Sequence, residues 1–109
     1  MSKTLNINYE GKSYTLEFTR RTVAEMERKG FVSSEITTKP MTTLPALFAG
    51  AFLAHHRGVT QDTTDKIYAK LTNKEDLIGK LSEMYNEPIM TLMEEPEESE
   101  GNLTWTASW

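Results

Sequence analysis

The sequence predicts an α+β fold, mainly α, with an N-terminal β-hairpin packed on a small bundle of three to four helices. Apolar residues alternate with polar ones up to about residue 18, and then recur at three- and four-residue spacing up to about residue 93. The first pattern is typical of strands and the second of helices. Beyond Met93 the periodicity ends and glutamate dominates. We therefore expect one domain over residues 1–93 and a disordered, acidic, flexible tail over residues 94–109.

The β-hairpin is predicted over residues 3–18. Apolar side chains occupy every second position on both sides of Glu10-Gly11-Lys12, and Gly11 can adopt the positive φ of a tight turn. Each strand thus has one apolar face. Two strands alone are only marginally stable in water, so this face is expected to pack on the helices.

Four helices are predicted after the hairpin, each from a capping residue followed by apolar helical spacing. They span about residues 20–29, 43–57, 61–71 and 74–93. Their expected capping residues are Thr19, Thr43, Thr60 and Asn73.

Glycine and proline predict the interruptions between and within these helices. Gly30 should end the first helix, with Phe31 folding back on Met26. Residues 32–41 are rich in Ser, Thr and Pro and are expected to form a loop. Pro88 should kink the last helix near Tyr85 or break it into two pieces.

The segment Leu44–Ala54, LPALFAGAFLA, contains no charged, amide or hydroxyl side chain. It is too short to span a bilayer, and no signal peptide precedes it, so a soluble cytoplasmic protein without a membrane partner is expected. Ala46, Gly50 and Ala54 form a stripe of small residues beside the larger apolar ones. The helix is either the central core helix, or core on one face and a protein-binding surface on the other. Self-association would complete its coverage.

The composition excludes several classes of function. There is no cysteine, which excludes a disulfide framework and thiolate chemistry. The net charge is −4, and five of the sixteen acids lie between Glu94 and Glu100, so the preceding residues are nearly neutral. No concentrated positive patch is present, and we expect no nucleic-acid partner.

Catalytic and cofactor-binding signals are missing as well. The sequence has no phosphate-binding glycine loop, nucleophile elbow or metal-binding signature. Adjacent residues of a helix point about 100° apart, so His55 and His56 cannot share a metal ion without distortion, and we interpret them as a polar helix end. The prediction is a non-enzyme with no cofactor, no metal ligand and no catalytic residue.

Trp105 and Trp109 lie beyond the acidic segment. They are either part of a flexible end that packs locally on the domain, or a short linear anchor for a partner, since tryptophan is frequent among binding hot spots.

The order of these parts resembles a known family. A hairpin ending in YEGKSYTLEFTRRTVAEMERKGF is followed by an Ala/Leu/Phe helix ending in HHRG, then by TQDTTDKIYAKL and LIGKLSEMYNEPIMTLM. Over about residues 5–93 this layout is similar to the tail assembly chaperones of long, non-contractile-tailed bacteriophages (siphophages) and related prophages.

The resemblance implies a non-catalytic protein of the infected or lysogenic bacterial host's cytoplasm. Such chaperones bind the tape measure protein and keep it soluble, promote assembly of the tail tube protein around it, and are absent from the finished virion. Members self-associate, so a homo-oligomer is expected, and many are also made as a longer frameshifted product.

Exposed or exchangeable apolar side chains would bind such a client, because methionine and aromatic residues adapt to and anchor apolar partners. The predicted protein-binding residues are Leu47, Phe48, Gly50, Phe52, Met90, Met93, Trp105 and Trp109.

Two alternatives remain open at this point. One is another phage morphogenesis component, such as a head–tail connector. The other is a small helix-turn-helix regulator built from residues 44–71. Its second helix, TQDTTDKIYAKL, carries two acids and two lysines but no arginine, which is unfavourable for reading base edges.

Overall fold

The structure, a computed structural model, describes residues 3–94 and 106–109. It confirms the predicted fold class, since a two-stranded antiparallel hairpin precedes a set of helices. The elements are β1 (Thr4–Tyr9), β2 (Lys12–Glu17), α1 (Arg20–Arg28), a short 3-10 helix (Ser33–Ile36), α2 (Pro40–Gly50), α3 (Gln61–Lys70) and α4 (Lys74–Leu92). Of the predicted acidic tail, residues 95–105 lie outside the described residues, and residues 106–109 are exposed.

The hairpin turn is tighter than the sequence suggested. Tyr9 pairs with Lys12, so the turn comprises only Glu10 and Gly11, with φ of 51° and 77°. Positive φ at both central residues is the type I′ geometry, whose twist matches that of the flanking strands. It sets the register that places the apolar side chains of both strands on one face.

Reciprocal threonine caps begin α1. The Thr19 Oγ1 accepts the Thr22 N–H at 3.1 Å, and the Thr22 Oγ1 accepts the Thr19 N–H at 2.9 Å. At the other end Gly30 has φ of 96°, and the Phe31 N–H donates to the Met26 carbonyl at 3.0 Å. The predicted cap and the predicted glycine-terminated end are both present, because each depends on residues close in sequence.

The second helix begins earlier than predicted. Pro40 occupies its first turn, where the missing N–H needs no partner. Thr43, expected to cap the helix, lies inside it: its N–H donates to the Lys39 carbonyl at 3.0 Å, and its side chain is buried. The predicted loop over residues 32–41 is therefore shorter, and it contains the 3-10 helix.

The same helix also ends earlier, at Gly50 rather than at residue 57. The Ala51 carbonyl accepts the Glu17 N–H of β2 at 2.9 Å, so this strand takes an acceptor that a longer helix would use. The chain continues in tight turns, in which the Phe52 N–H donates three residues back at 3.1 Å. Contact with a distant strand thus replaces the predicted helical geometry.

The last two helices follow the predicted order with two corrections. The Thr60 Oγ1 accepts the Thr63 N–H at 3.3 Å and caps α3 as expected, although α3 ends at Lys70. Asn73 does not cap α4 with its side chain, because its backbone adopts the left-handed region at φ 55°. No break occurs at Pro88, which is buried inside a continuous α4.

The core lies between the inner face of β2 and the helices. It is built mainly from β2, the region of α2 and its following turns, and the middle of α4. Its buried apolar residues are Tyr14, Leu16, Phe18, Val23, Met26, Leu47, Phe48, Ala51, Phe52, Ile67, Leu81, Met84 and Tyr85.

Candidate protein-binding site

The predicted binding residues in and just after α2 are core residues. Leu47 and Phe48 are 1% exposed and Phe52 is 2% exposed. Gly50 is also buried, and a Cβ at this position would overlap the Met26 side chain. Leu47, Phe48 and Phe52 therefore reach a partner only if the domain opens, and Gly50 lies under the Met26 side chain, so none of the four is freely accessible surface.

The chain's own elements supply the cover. The Tyr14 ring from β2 lies edge-on to the Phe52 ring, with centroids 5.6 Å apart. The Tyr68 ring from α3 packs on Phe48 at 5.3 Å. The domain therefore covers the large apolar side chains of this helix without a second copy.

Exposed apolar surface lies instead at the C-terminal end of α4. Met90 is 69% exposed and Met93 is 85% exposed, and both belong to the predicted set. Ile89 and Leu92 are 41% and 64% exposed. Three- and four-residue spacing makes neighbours of these side chains on a helix. We call Ile89, Met90, Leu92 and Met93 the α4 apolar end.

Polar contacts hold this end of α4 against the domain. The Arg20 guanidinium donates to the Thr91 carbonyl at 2.8 Å. About two turns earlier in α4, the Lys3 ammonium donates to the Glu83 carboxylate at 3.0 Å, and this hydrogen bond lowers the pKa of Glu83 below its ordinary value. With Pro88 buried beneath, the apolar end is presented by an anchored helix.

Sequence periodicity did not reveal Ile89 and Leu92 as surface residues. They continue the apolar spacing of the buried part of α4, so the pattern did not distinguish them from residues of the core. One signal in the sequence could have indicated their exposure. Apolar residues continue after Pro88, but no later helix is predicted against which they could pack. Of the two tryptophans in the predicted set, Trp105 lies outside the described residues and Trp109 is fully exposed.

A second surface feature is a groove of about 420 Å³ between α1 and α2, which we call the α1–α2 groove. Ala46 and Gly50, from the predicted small-residue stripe, line its floor. Its full lining is Met26, Lys29, Gly30, Phe31, Val32, Glu35, Thr42, Thr43, Ala46, Ala49, Gly50, Leu53, Val59 and Gln61.

The histidines serve the fold. The His56 Nε2 accepts the Thr15 N–H of β2 at 2.9 Å, and the His55 Nε2 lies 2.6 Å from the Glu17 carboxylate. Both rings therefore connect the segment after α2 to β2. Although the sequence predicts that they lie at the end of a helix, they do not, because α2 ends at Gly50. In residues 3–94 and 106–109, no group of three or more His, Cys, Asp or Glu side chains is arranged to hold a metal ion.

The geometry between α2 and α3 bears on the regulator alternative. Residues 51–60 separate the two helices, whereas a helix-turn-helix uses a turn of about three or four residues. This spacing disfavours a DNA-reading helix pair. Within the part of the chain that the structure describes, no helix is both long enough and apolar enough to cross a membrane.

Comparison with known proteins gives one family. Residues 1–109 match the family described as "Domain of unknown function (DUF5055)". No curated protein and no solved structure matches the chain.

Proposed function

The chain belongs to the DUF5055 family, and we propose that it is a phage tail assembly chaperone of the siphophage type. In this role it binds the tape measure protein, keeps it soluble and promotes assembly of the tail tube protein around it. It acts in the cytoplasm of the bacterial host and is absent from the finished virion.

The observation that carries the proposal is the α4 apolar end. The four apolar side chains of this end are between 41% and 85% exposed, and they lie within about one turn of each other at the end of an otherwise amphipathic helix. Scattered single apolar residues on a surface need no explanation, but a contiguous group marks an interaction site. An interaction site of this kind suits a chaperone.

The composition of this surface fits an apolar helical client. Helix recognition uses apolar anchors spaced by three or four residues, which is the spacing of Ile89, Met90, Leu92 and Met93. Two of the four are methionines, whose unbranched thioether side chains adapt to irregular apolar partners. A long tape measure protein presents many different apolar segments, so an adaptable surface is favourable.

Self-association belongs to the same proposal. Since α2 is covered within the domain, the α4 apolar end is the surface through which copies would pair when no client is bound. Client and second copy then compete for the same side chains.

The test is co-expression with the tape measure protein of the phage or prophage that encodes this chain. The native chain should raise the soluble fraction of the tape measure protein, and Met90→Asp/Met93→Asp should abolish this effect, because two carboxylates would have to be buried against an apolar client. Met41→Asp is the matched control, since Met41 is 87% exposed but lies at the start of α2.

Equal solubilisation by both variants would exclude the α4 apolar end as the binding surface. Mass spectrometry of purified particles separates this function from a head–tail connector or another structural component. A stoichiometric amount of the chain in mature virions would contradict the chaperone role.

A further inference from the structure

We propose that the α1–α2 groove binds the indole of Trp109 from the same chain. The groove and the α4 apolar end share no residue, so this site is distinct from the proposed client site.

The groove is shaped for a flat apolar group. Its floor is formed by Ala46, Ala49 and Gly50, none of which has a side chain beyond Cβ. Its volume of about 420 Å³ is within the range of small-ligand pockets. A planar ring can therefore lie against α2 at Ala46 and Ala49, beside the Met26 side chain that covers Gly50.

The walls favour an aromatic occupant. The Met26 side chain lies over Gly50, and thioether sulfur packs favourably against aromatic rings. Phe31 on the same side can meet an indole edge-to-face. Val32 at the rim is 47% exposed, which leaves apolar surface that an occupant would cover.

Trp109 is the chain's own candidate for this position. Its side chain is fully exposed to solvent in the described structure, although tryptophan has the largest of the apolar side chains. Burial of a tryptophan removes about 150–250 Å² of surface from water. The groove provides such burial without any change in the core.

The connection is long enough. Fifteen residues follow Glu94, and fifteen residues reach about 50 Å when fully extended. The contact between Arg20 and Thr91 places the end of α4 beside the first turn of α1. The groove lies at the last turn of the same helix, so the distance to cover along α1 is about 14 Å at 1.5 Å per residue.

Charge favours the same path. Arg20, Arg21, Arg28 and Lys29, the exposed bases of α1 and its C-cap, outnumber the two glutamates of α1, one of which lies 3.6 Å from Lys29. Five glutamates lie between residues 94 and 100. Tethering also raises the effective concentration of Trp109 at its own groove to about millimolar, which favours it over a second copy in dilute solution.

Tryptophan fluorescence tests this directly, because Trp105 and Trp109 are the only tryptophans. In the full-length Trp105→Phe chain, emission reports Trp109 alone. We expect emission at shorter wavelength and weaker acrylamide quenching than for the same chain unfolded in urea. Val32→Asp should shift both toward the unfolded values, and Met41→Asp should leave both unchanged.

Ala46→Gln provides a second, independent change in the groove, and far-UV circular dichroism confirms that each variant is folded. Emission and quenching equal to those of the unfolded chain would overturn the proposal. If quenching of Trp109 increases on dilution of the protein, the groove binds the indole of a second copy. If Met90→Asp increases the quenching and Val32→Asp does not, the indole lies on α4. Either result would also overturn it.

Discussion

At the scale of single residues, the turn of the hairpin contains a conformation that its sequence does not favour. Glu10 has φ of 51°, a region in which a Cβ crowds the following carbonyl and which asparagine and glycine tolerate best. Glu10→Asn should therefore raise the free energy of unfolding by about 0.5–1 kcal/mol. Urea denaturation measures this. Glu10→Ala is the control and should give no gain, and an equal gain for both would assign the effect to loss of the charge.

A second residue-scale feature links α1 to the segment after α2. The Arg57 guanidinium donates to the Glu25 carboxylate at 2.8 and 3.2 Å, and this hydrogen bonding, with the Arg57 charge, holds the pKa of Glu25 below its ordinary value. A carboxyl whose pKa is lower in the folded state stabilises the fold above its unfolded pKa and loses that contribution as pH falls through the folded value.

The prediction is a stability difference between the native chain and Glu25→Gln that is present at pH 7 and disappears under acid conditions. Urea denaturation at a series of pH values down to about 3 measures it, with the carboxyl pKa followed by NMR. A difference that persists unchanged at the lowest pH would show that the side chain contributes by packing and not by its charge.

At the scale of elements, the outer edge of β2 is the least local part of the fold. Its Thr15 and Glu17 N–H groups donate to the His56 ring and to the Ala51 carbonyl, so the segment after α2 acts as a cover for this strand. Sheet edges with unpaired backbone groups invite association with other chains. The cover occupies this edge of β2 at Thr15 and Glu17 and so disfavours pairing with another chain there.

Removal of the His56 acceptor should weaken this cover. His56→Ala leaves a part-buried N–H without its partner, and a loss of about 1–2 kcal/mol in the free energy of unfolding is expected. His56→Gln retains an acceptor and should lose less. Urea denaturation at pH 7.5 compares them, and equal losses for the two variants would attribute the effect to the lost ring contacts with Tyr14 and Phe52.

The same element shows what the sequence can and cannot predict. The Thr19 cap and the Gly30 end of α1 depend on partners within a few residues, and both were predictable. The early end of α2 depends on Glu17, more than thirty positions away from Ala51, and no local pattern contains that information. The exposure of Ile89 and Leu92 was not predictable for a related reason, since periodicity gives the apolar face of a helix but not the length over which other elements cover it.

At the scale of the whole molecule, the domain covers its most apolar segment internally and leaves apolar side chains at one helix end. The uncharged stretch in α2 suggested a shared surface, but its large side chains are buried by β2 and α3. The α4 apolar end is held in place through Arg20 and Lys3 and is separate from the core. The client binding that we propose at this end would require no unfolding of the domain.

Site-specific photo-crosslinking tests this claim most directly. A photoreactive residue is placed at position 93 in one chain and at position 41 in another, and each chain is co-expressed with the tape measure protein. Both positions are highly exposed methionines, so they differ in location and not in accessibility. We predict a crosslinked tape measure protein from position 93 and none from position 41. Equal capture from both positions, or capture from position 41 alone, would contradict binding at the α4 apolar end.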